Sequence, residues 1–379
     1  MKELYFGLDL GHYEIKLSIL EEDISGKLIS YNHSIKNEYL KKGEILETDD
    51  LINSLANLFD NTLSSFNISK INNLGVCFNF SYFQSYLQKG HSIFEGNIKE
   101  EDIERAIKTA RTSLLINNQE ILVEEPIKFF LDGHQEIRDP LGFSGRRLDV
   151  EVFFITCHKS IINKFSNILN ELKINKVVFY PAFYAASKVC LTKRDKEIGT
   201  ILLDLGAENT TLAVFQRGKL INYHSFDFGG EKLTEDLALY LKIDLEEAEK
   251  LKLDFFNNYL DKDSKKKSKV KKFIEKKIKE YVEKSGLKSY LKEIKSSFRL
   301  PGGIIAVGSF AKILNFDNLL KNIFDIQIKL PKNIYDIFEK DDDILKYSAS
   351  VGCALLNKEV INKEYGWFQK IKNFFSFRP

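Results

Sequence analysis

Residues 198–215 read IGTILLDLGAENTTLAVF: an apolar run, the carboxylate of Asp204, a glycine at 206, two threonines and a second apolar run. Strand-length apolar runs on either side of a short polar turn predict a β-hairpin. A second copy opens the chain. Leu8-Asp9-Leu10-Gly11 matches Leu203-Asp204-Leu205-Gly206, and at the same offset Leu17, Ile19 and Leu20 fall under Leu212, Val214 and Phe215. Two copies of one hairpin imply two lobes. A glycine at a tight turn lets backbone N–H groups reach an anion, whereas an aspartate at the strand end repels phosphate unless a divalent cation or its water lies between them. Two such turns facing one cleft predict a clamp for a nucleoside triphosphate with its magnesium, with Asp9 and Asp204 near Mg²⁺ through water.

A chain of 379 residues, 44% of them apolar, exceeds what one core organises and has the material for two or more. Its net charge of +2 and pI near 8.1 supply no global field for nucleic acid, and no nucleic-acid partner is expected. Cys77, Cys157, Cys190 and Cys353 are far apart, so neither a zinc site nor a disulfide framework is indicated, and reduced thiols in the cytosol are expected. Asp9 interrupts the first apolar run, which excludes a signal-peptide pattern. No stretch approaches the roughly 18 apolar residues that would span a bilayer, so the chain reads as cytoplasmic.

Outward from the first hairpin, a strand over Leu28 to Ile35, a helix over Asp49 to Ser65 capped from Thr48 and Asp49, and a strand over Leu74 to Phe80 give the order βββαβ. Ile103, Ala106, Ile107, Ala110 and Leu114 then recur at helical spacing. Strands follow at Ile121 to Val123 and Ile127 to Leu131, then a long turn through Gly133, Pro140, Gly142 and Gly145. A strand at Leu148 to Thr156 runs into a helix from Lys159 to Leu172. This reads as a small α/β domain inserted into the first lobe. Lys176 to Leu191 returns to that lobe.

After the second hairpin come a strand at Leu220 to Phe226, the pair Gly229-Gly230, a helix from Glu231, and a second helix carrying Glu249 and Lys252 on one face, either as a surface ion pair or as part of the cleft. Residues 262–284 hold eleven lysines against four acidic residues. Phe273, Ile274, Ile278, Tyr281 and Val282 give the later part a helical stripe, and the earlier part reads as a loop. A solvated face, a surface for an acidic protein tail and a surface for anionic lipid are all open readings. Gly302-Gly303 precedes Ile304 to Ala311, read as a strand ending in a glycine turn at Gly308-Ser309 and then a helix; the turn can lie against adenine or ribose, and the helix start favours anions. A helix follows at Leu345 to Leu356.

Residues 366–379 read GWFQKIKNFFSFRP. On a helix Trp367, Phe368, Ile371, Phe374 and Phe375 share one sector, and Lys370, Lys372 and Arg378 come with no acid. Too short to cross a bilayer, such a helix is expected to lie in the interface of an anionic membrane, where each buried large apolar side chain contributes at most about 1.5–3 kcal/mol and each cation about 1.

The two Asp-Leu-Gly hairpins, Gly229-Gly230, Ala248-Glu249 with Lys252, Gly302-Gly303 with Gly308, and the run from Asp132-Gly133 through Asp139-Pro140-Leu141-Gly142 to Ile155-Thr156-Cys157-His158 resemble the FtsA family of actin-like bacterial cell-division proteins over essentially the whole chain. The resemblance implies an α/β, actin-like (ribonuclease H-like) two-lobe fold with an inserted subdomain 1C and a C-terminal amphipathic helix. Subdomain 1A would cover residues 1–81 and 177–198, 1C 82–176, 2A 199–224 and 303–356, and 2B 225–302, followed by a linker over 357–365 and a targeting helix over 366–379. It implies ATP with Mg²⁺ in the cleft, with phosphate contacts at Asp9, Gly11, His12, Lys16, Asp204, Gly206, Thr210 and Thr211. Ribose and adenine contacts fall at Gly229, Gly230, Glu249, Lys252, Gly308 and Ser309. It also implies self-assembly into filaments, attachment to the inner face of the cytoplasmic membrane through the C-terminal helix, binding of the C-terminal peptide of the tubulin-like FtsZ, and contact with other division proteins through 1C. The family's second phosphate loop usually has three consecutive glycines where this chain has Gly206-Ala207-Glu208, so nucleotide held with weak or absent hydrolysis is expected. A PilM-like scaffold of a pilus or secretion platform and an ATPase or kinase of the same superfamily are the alternatives.

Overall fold

A computed structural model describes residues 3–41, 43–68, 70–80, 83–114, 116–174, 176–256, 265–312, 328–333, 336–338 and 343–376. Two five-stranded sheets share one topology. The first runs Lys176–Pro181, Asn73–Phe78, Glu3–Leu10, Glu14–Glu22, Leu28–Lys36; the second runs Ile328–Lys329, Ile304–Val307, Thr200–Leu205, Thr210–Gln216, Lys219–Phe226. In each, three consecutive strands pair antiparallel and two more add in parallel beside the first. The duplicated hairpin is therefore the visible part of a duplicated sheet.

The strand Thr200–Leu205 is buried at every residue because each of its faces meets a different core. Leu202, with Ala213, Phe215, Ile305 and Val307, packs into the first lobe, while Ile201, Leu203 and Leu205, with Leu212 and Val214, pack under the helices of the second. The base of the molecule is thus one continuous apolar core between the lobes. In the first lobe the helix Thr48–Ser64 buries Leu51, Leu55, Leu58, Phe59, Thr62 and Leu63. Its cap differs from expectation: Glu47 is the extended residue ahead of it, with no side-chain cap, and Thr48 is already helical. Asp49 and Asp50 in the first turn supply the favourable charge instead.

The insertion is a four-stranded sheet, Gln84–Ile93, Arg147–His158, Gln119–Leu131, Gln135–Ile137, covered by the helix Glu100–Ser113. Gly90 permits the contact: a Cβ there would lie 2.1 Å from the Ala106 carbonyl oxygen. The two short strands expected at 121–123 and 127–131 are one strand, whose register shifts opposite Glu151 and Val152, where Pro126 sits. A bulge absorbs a proline that an unbroken ladder would not. The helix Lys159–Glu171 buries Ile162, Phe165, Ile168 and Leu169 in a core that joins the first lobe to the near face of the inserted sheet, where Val123, Phe153, Ile155 and Cys157 meet them. Three ion pairs join the insertion to the second lobe and its approach: Arg138 with Glu197 at 2.7 Å, Lys219 with Glu125 at 3.0 Å, and Arg217 with Glu136.

The last helix, Ile344–Ser376, corrects two expectations. It was expected to end at Leu356 in the second lobe, but it lies on the first, and its backbone stays helical through residues 357–365, expected as a linker. Two glycines on adjacent strands explain the docking. A Cβ at Gly7 would lie 2.1 Å from the Ser350 carbonyl oxygen, and one at Gly75 would lie 2.6 Å from that of Cys353. Asn357 Nδ2 then donates to Asn73 O at 3.1 Å, and Lys358 pairs with Glu22 at 2.6 Å. Side chains from residue 363 onward, including Trp367, Phe368, Lys370, Ile371, Lys372, Phe374 and Phe375, lie outside the described residues. Among the described residues no helix is long and apolar enough to cross a membrane.

Four described helices, Gly230–Leu241, Leu245–Phe256, Lys265–Lys284 and Leu287–Ser297, complete the second lobe. The lysine-rich helix buries Val270, Ile274, Ile278, Tyr281 and Val282 and exposes Lys269, Lys271, Lys272, Lys276 and Lys279. Residues 262–264, expected as a loop, lie outside the described residues, and helix is already present at Lys265.

Candidate nucleotide cleft

The twin turns, residues 11–14 and 206–209, open into one cleft of about 1030 Å³ between the lobes. Asp9, Gly11, His12, Lys16, Asp204, Gly206, Gly230, Glu249, Lys252, Gly308 and Ser309 line it together. Thr210, Thr211 and Gly229 do not. Thr210 Oγ1 donates to Phe228 O at 2.9 Å and Thr211 Oγ1 to Asn79 Oδ1 at 3.1 Å, so both hydroxyls brace the turn from behind. Gly229 is required by close approach, since a Cβ there would lie 2.3 Å from the Ala207 carbonyl oxygen.

Antiparallel pairing places Lys16 directly across from Asp9, and Lys16 Nζ donates to Asp9 Oδ2 at 2.8 Å. Burial works against the Lys16 ammonium, but the Asp9 carboxylate more than offsets it, and the Lys16 pKa lies above its ordinary value. Asp204 has no lysine of its own. Burial first, then the Asp9 carboxylate, pushes its pKa up to about 7, although Lys16 and a hydrogen bond from Asn79 Nδ2 at 3.2 Å oppose the shift. Gly308, at φ 89°, lets its strand end pass Asp204 at a distance no side chain permits: a Cβ would stand 2.8 Å from Asp204 Oδ1.

On the opposite wall Lys252 Nζ meets Glu249 Oε2 at 2.6 Å and donates to Gly230 O at 3.0 Å and Thr234 Oγ1 at 2.8 Å. With its side chain 7% exposed, this pair belongs to the cleft and not to the open surface. Burial lowers the Lys252 pKa and Glu249 partly restores it. Between the two turns His12 Nε2 lies 3.1 Å from Glu208 Oε2, off the line of a hydrogen bond, and it has no hydrogen-bond partner. Burial, reinforced by the Lys16 ammonium, pushes the His12 pKa down to about 4, so the ring is neutral and the contact is a close approach, not an ion pair.

Two asparagines went unread. Asn37 Nδ2 donates to Gly11 O at 3.0 Å and His12 O at 2.9 Å, fixing the first turn. Asn79 reaches from the first lobe to the second turn, bonding Asp204 and Thr211 and accepting at its carbonyl from Asn209 Nδ2 at 3.2 Å. An amide in the otherwise apolar run Leu74 to Phe80 was the available signal for Asn79. Asn37 carried none, because its role depends on a turn formed elsewhere.

The residues present fit a magnesium nucleotide. Two buried carboxylates, one of them raised by burial and by the charge of the other, form the arrangement a divalent cation neutralises. Among the described residues no three metal-binding side chains cluster, so a cation here would rely on water and phosphate oxygens.

Residues 201–352 match the family model described as "Cell division protein FtsA", and residues 82–156 match "SHS2 domain inserted in FTSA". The cell division protein FtsA of Bacillus subtilis (strain 168) is 26% identical over 388 residues, covering 96% of this chain and 86% of that protein. The FtsA of Buchnera aphidicola subsp. Schizaphis graminum is 24% identical over 413 residues, covering 99% and 98%. Among solved structures, the PilM-PilN type IV pilus biogenesis complex matches with a TM-score of 0.66 at 15% identity, over 93% of this chain and 98% of that one. The ethanolamine utilization protein EutJ from Carboxydothermus hydrogenoformans matches with a TM-score of 0.55 at 14% identity, over 93% and 89%. These structural likenesses speak to the fold, which is actin-like.

Proposed function

Because the chain belongs to the FtsA family of cell-division proteins, we propose that it is an ATP-binding, filament-forming adaptor that tethers FtsZ to the cytoplasmic face of the cell membrane at the division site. The observation that carries the nucleotide part is the pair of carboxylate-bearing turns, from twin hairpins, facing one cleft. In this reading Asp9 and Asp204 hold Mg²⁺ through water, and the cation offsets phosphate charge. Lys16 supplies a fixed positive charge beside Asp9, the backbone of Gly11 and Gly206 approaches the phosphates, and Gly308 with Ser309, Glu249 and Lys252 flanks the nucleoside. Aromatic and basic residues of 366–379 supply the membrane contact, and the second lobe takes the FtsZ peptide. The pilus-scaffold alternative shares the fold, but both matching family models are those of FtsA.

The test of the nucleotide reading is a melting experiment. ATP or ADP with magnesium raises the melting temperature of the full chain, and the gain disappears in Asp204→Ala. A wild-type protein unshifted by either nucleotide would make it a scaffold independent of nucleotide.

A further inference from the structure

The second turn carries Glu208 where a phosphate-binding turn has no use for an acid. Its side chain is 12% exposed and reaches out of the second lobe until Oε2 stands 3.1 Å from His12 Nε2 of the first. Both turns have four residues, since Leu10 pairs with Ile15 and Leu205 with Thr210, so their tips stand opposite each other. The His12 side chain, 7% exposed, is held against the ring of Phe80, with centroids 5.3 Å apart. The main-chain carbonyl of His12 is tied to Asn37. The turn of Glu208 is fixed from behind by Gly230 N to Gly206 O at 3.0 Å and Glu231 N to Ala207 O at 2.8 Å. Each turn is thus held within its own lobe.

Glu208 meets His12 between the two turns, in the path of a phosphate group that would touch both at once. A nucleotide whose phosphate chain stops at one turn need not enter that path. Resting on the nucleotide-binding reading of this cleft, we infer that Glu208 is a specificity residue that keeps a terminal phosphate from bridging the two turns, so that the cleft holds nucleoside diphosphate in preference to triphosphate. Two effects act together. The carboxylate occupies the space, and its charge, unlike that of Asp9 with its Lys16 partner, opposes each further phosphate charge. His12, buried with a ring nitrogen lacking a hydrogen-bond partner, is the group that a terminal phosphate would engage once Glu208 turned away.

The experiment is a calorimetric titration of the full chain with ADP and with a non-hydrolysable ATP analogue, each with magnesium, for wild type, Glu208→Gln and Glu208→Gly. Wild type binds ADP more tightly than the analogue. Removing the charge in the near-isosteric Glu208→Gln tightens the analogue about tenfold or more while ADP changes less than about threefold, and Glu208→Gly, which also clears the space, tightens it further. Melting without nucleotide checks that each variant is folded; if Glu208→Gly is not, Glu208→Gln decides. If wild type binds both nucleotides and the variants move them equally or not at all, the inference is overturned and the nucleotide cleft stands. If neither nucleotide binds to any of the three, the cleft reading fails and the inference with it.

Discussion

Gly352→Ala separates intrinsic helix preference from tertiary fit by the sign of its effect. Gly352 lies inside the helix Ile344–Ser376, where alanine in isolation gains about 1 kcal/mol over glycine. Here the helix crosses Ala182–Cys190, and a Cβ at residue 352 would stand 1.9 Å from the Ala185 carbonyl oxygen and 2.4 Å from its carbon. Relief requires the helices to part by more than 1 Å, because the obstructing atoms are backbone. Parting them loosens the packing around Ala185, Ala186 and Val351, all buried, and such a gap forfeits a quarter to a half of each contact's attraction. Overpacking of this kind costs about 1–3 kcal/mol, and the backbone clash places this site at the upper end. Net of the propensity gain, the expected loss is about 1–2 kcal/mol in urea unfolding followed by circular dichroism. The second substitution Ala185→Gly does not restore it, since the obstructing oxygen remains. A Gly352→Ala protein about 1 kcal/mol more stable than wild type, or one rescued by Ala185→Gly, refutes the reasoning.

Lys196 offers a pH test. Burial first, then the Lys188 ammonium, pushes its pKa down to about 8. The unfolded chain therefore holds a proton that the folded chain releases between about pH 8 and 10.5, and folded stability rises with pH through that window. Lys196→Met, which keeps a side chain over the Phe215 ring, is expected to stabilise by about 1–3 kcal/mol at pH 7, with the gain vanishing above pH 10.5; a gain independent of pH contradicts the assignment. Deleting residues 366–379 should abolish sedimentation with anionic liposomes, and undiminished sedimentation removes the membrane tether. A peptide from the FtsZ C-terminus should bind the full chain and lose most of its affinity when the second-lobe helix Lys265–Lys284 carries Lys269→Gln, Lys272→Gln and Lys279→Gln; binding that is absent, or indifferent to these changes, excludes that helix as the docking face.

The twin hairpins were legible because everything that makes them is local: apolar runs of strand length, a carboxylate and a glycine at a fixed offset. Asp9, Gly11, Asp204 and Gly206 reached the cleft for the same reason. What failed depended on distant partners. The stripe of Lys159–Glu171 shows that the helix packs, but not that Ile162 and Phe165 meet the first lobe. The closing helix docks through Gly7 and Gly75, hundreds of residues away in sequence, and nothing near residue 352 announces them. Thr210 and Thr211 have phosphate-binding chemistry, yet Phe228 and Asn79 decide where their hydroxyls point.

The distribution of contacts between the lobes says where the molecule can open. At the base, Leu202, Ala213, Phe215, Ile305 and Val307 of the second sheet share a core with Phe183 and Val189 of the first lobe, and parting them exposes apolar surface at about 25 cal/mol per Å². At the mouth the lobes meet through polar groups: Asn79 with Asp204, Thr211 and Asn209, and His12 beside Glu208. Each such hydrogen bond exchanges for water or ligand at a net cost of about 0.5–1.5 kcal/mol. The inexpensive motion therefore swings the turns apart about an intact base. Arg138 with Glu197, Lys219 with Glu125 and Arg217 with Glu136 tie the insertion to the moving side. A motion of the second lobe thus acts on the insertion as well, through the same sheet whose strand ends hold Asp204 and Gly308.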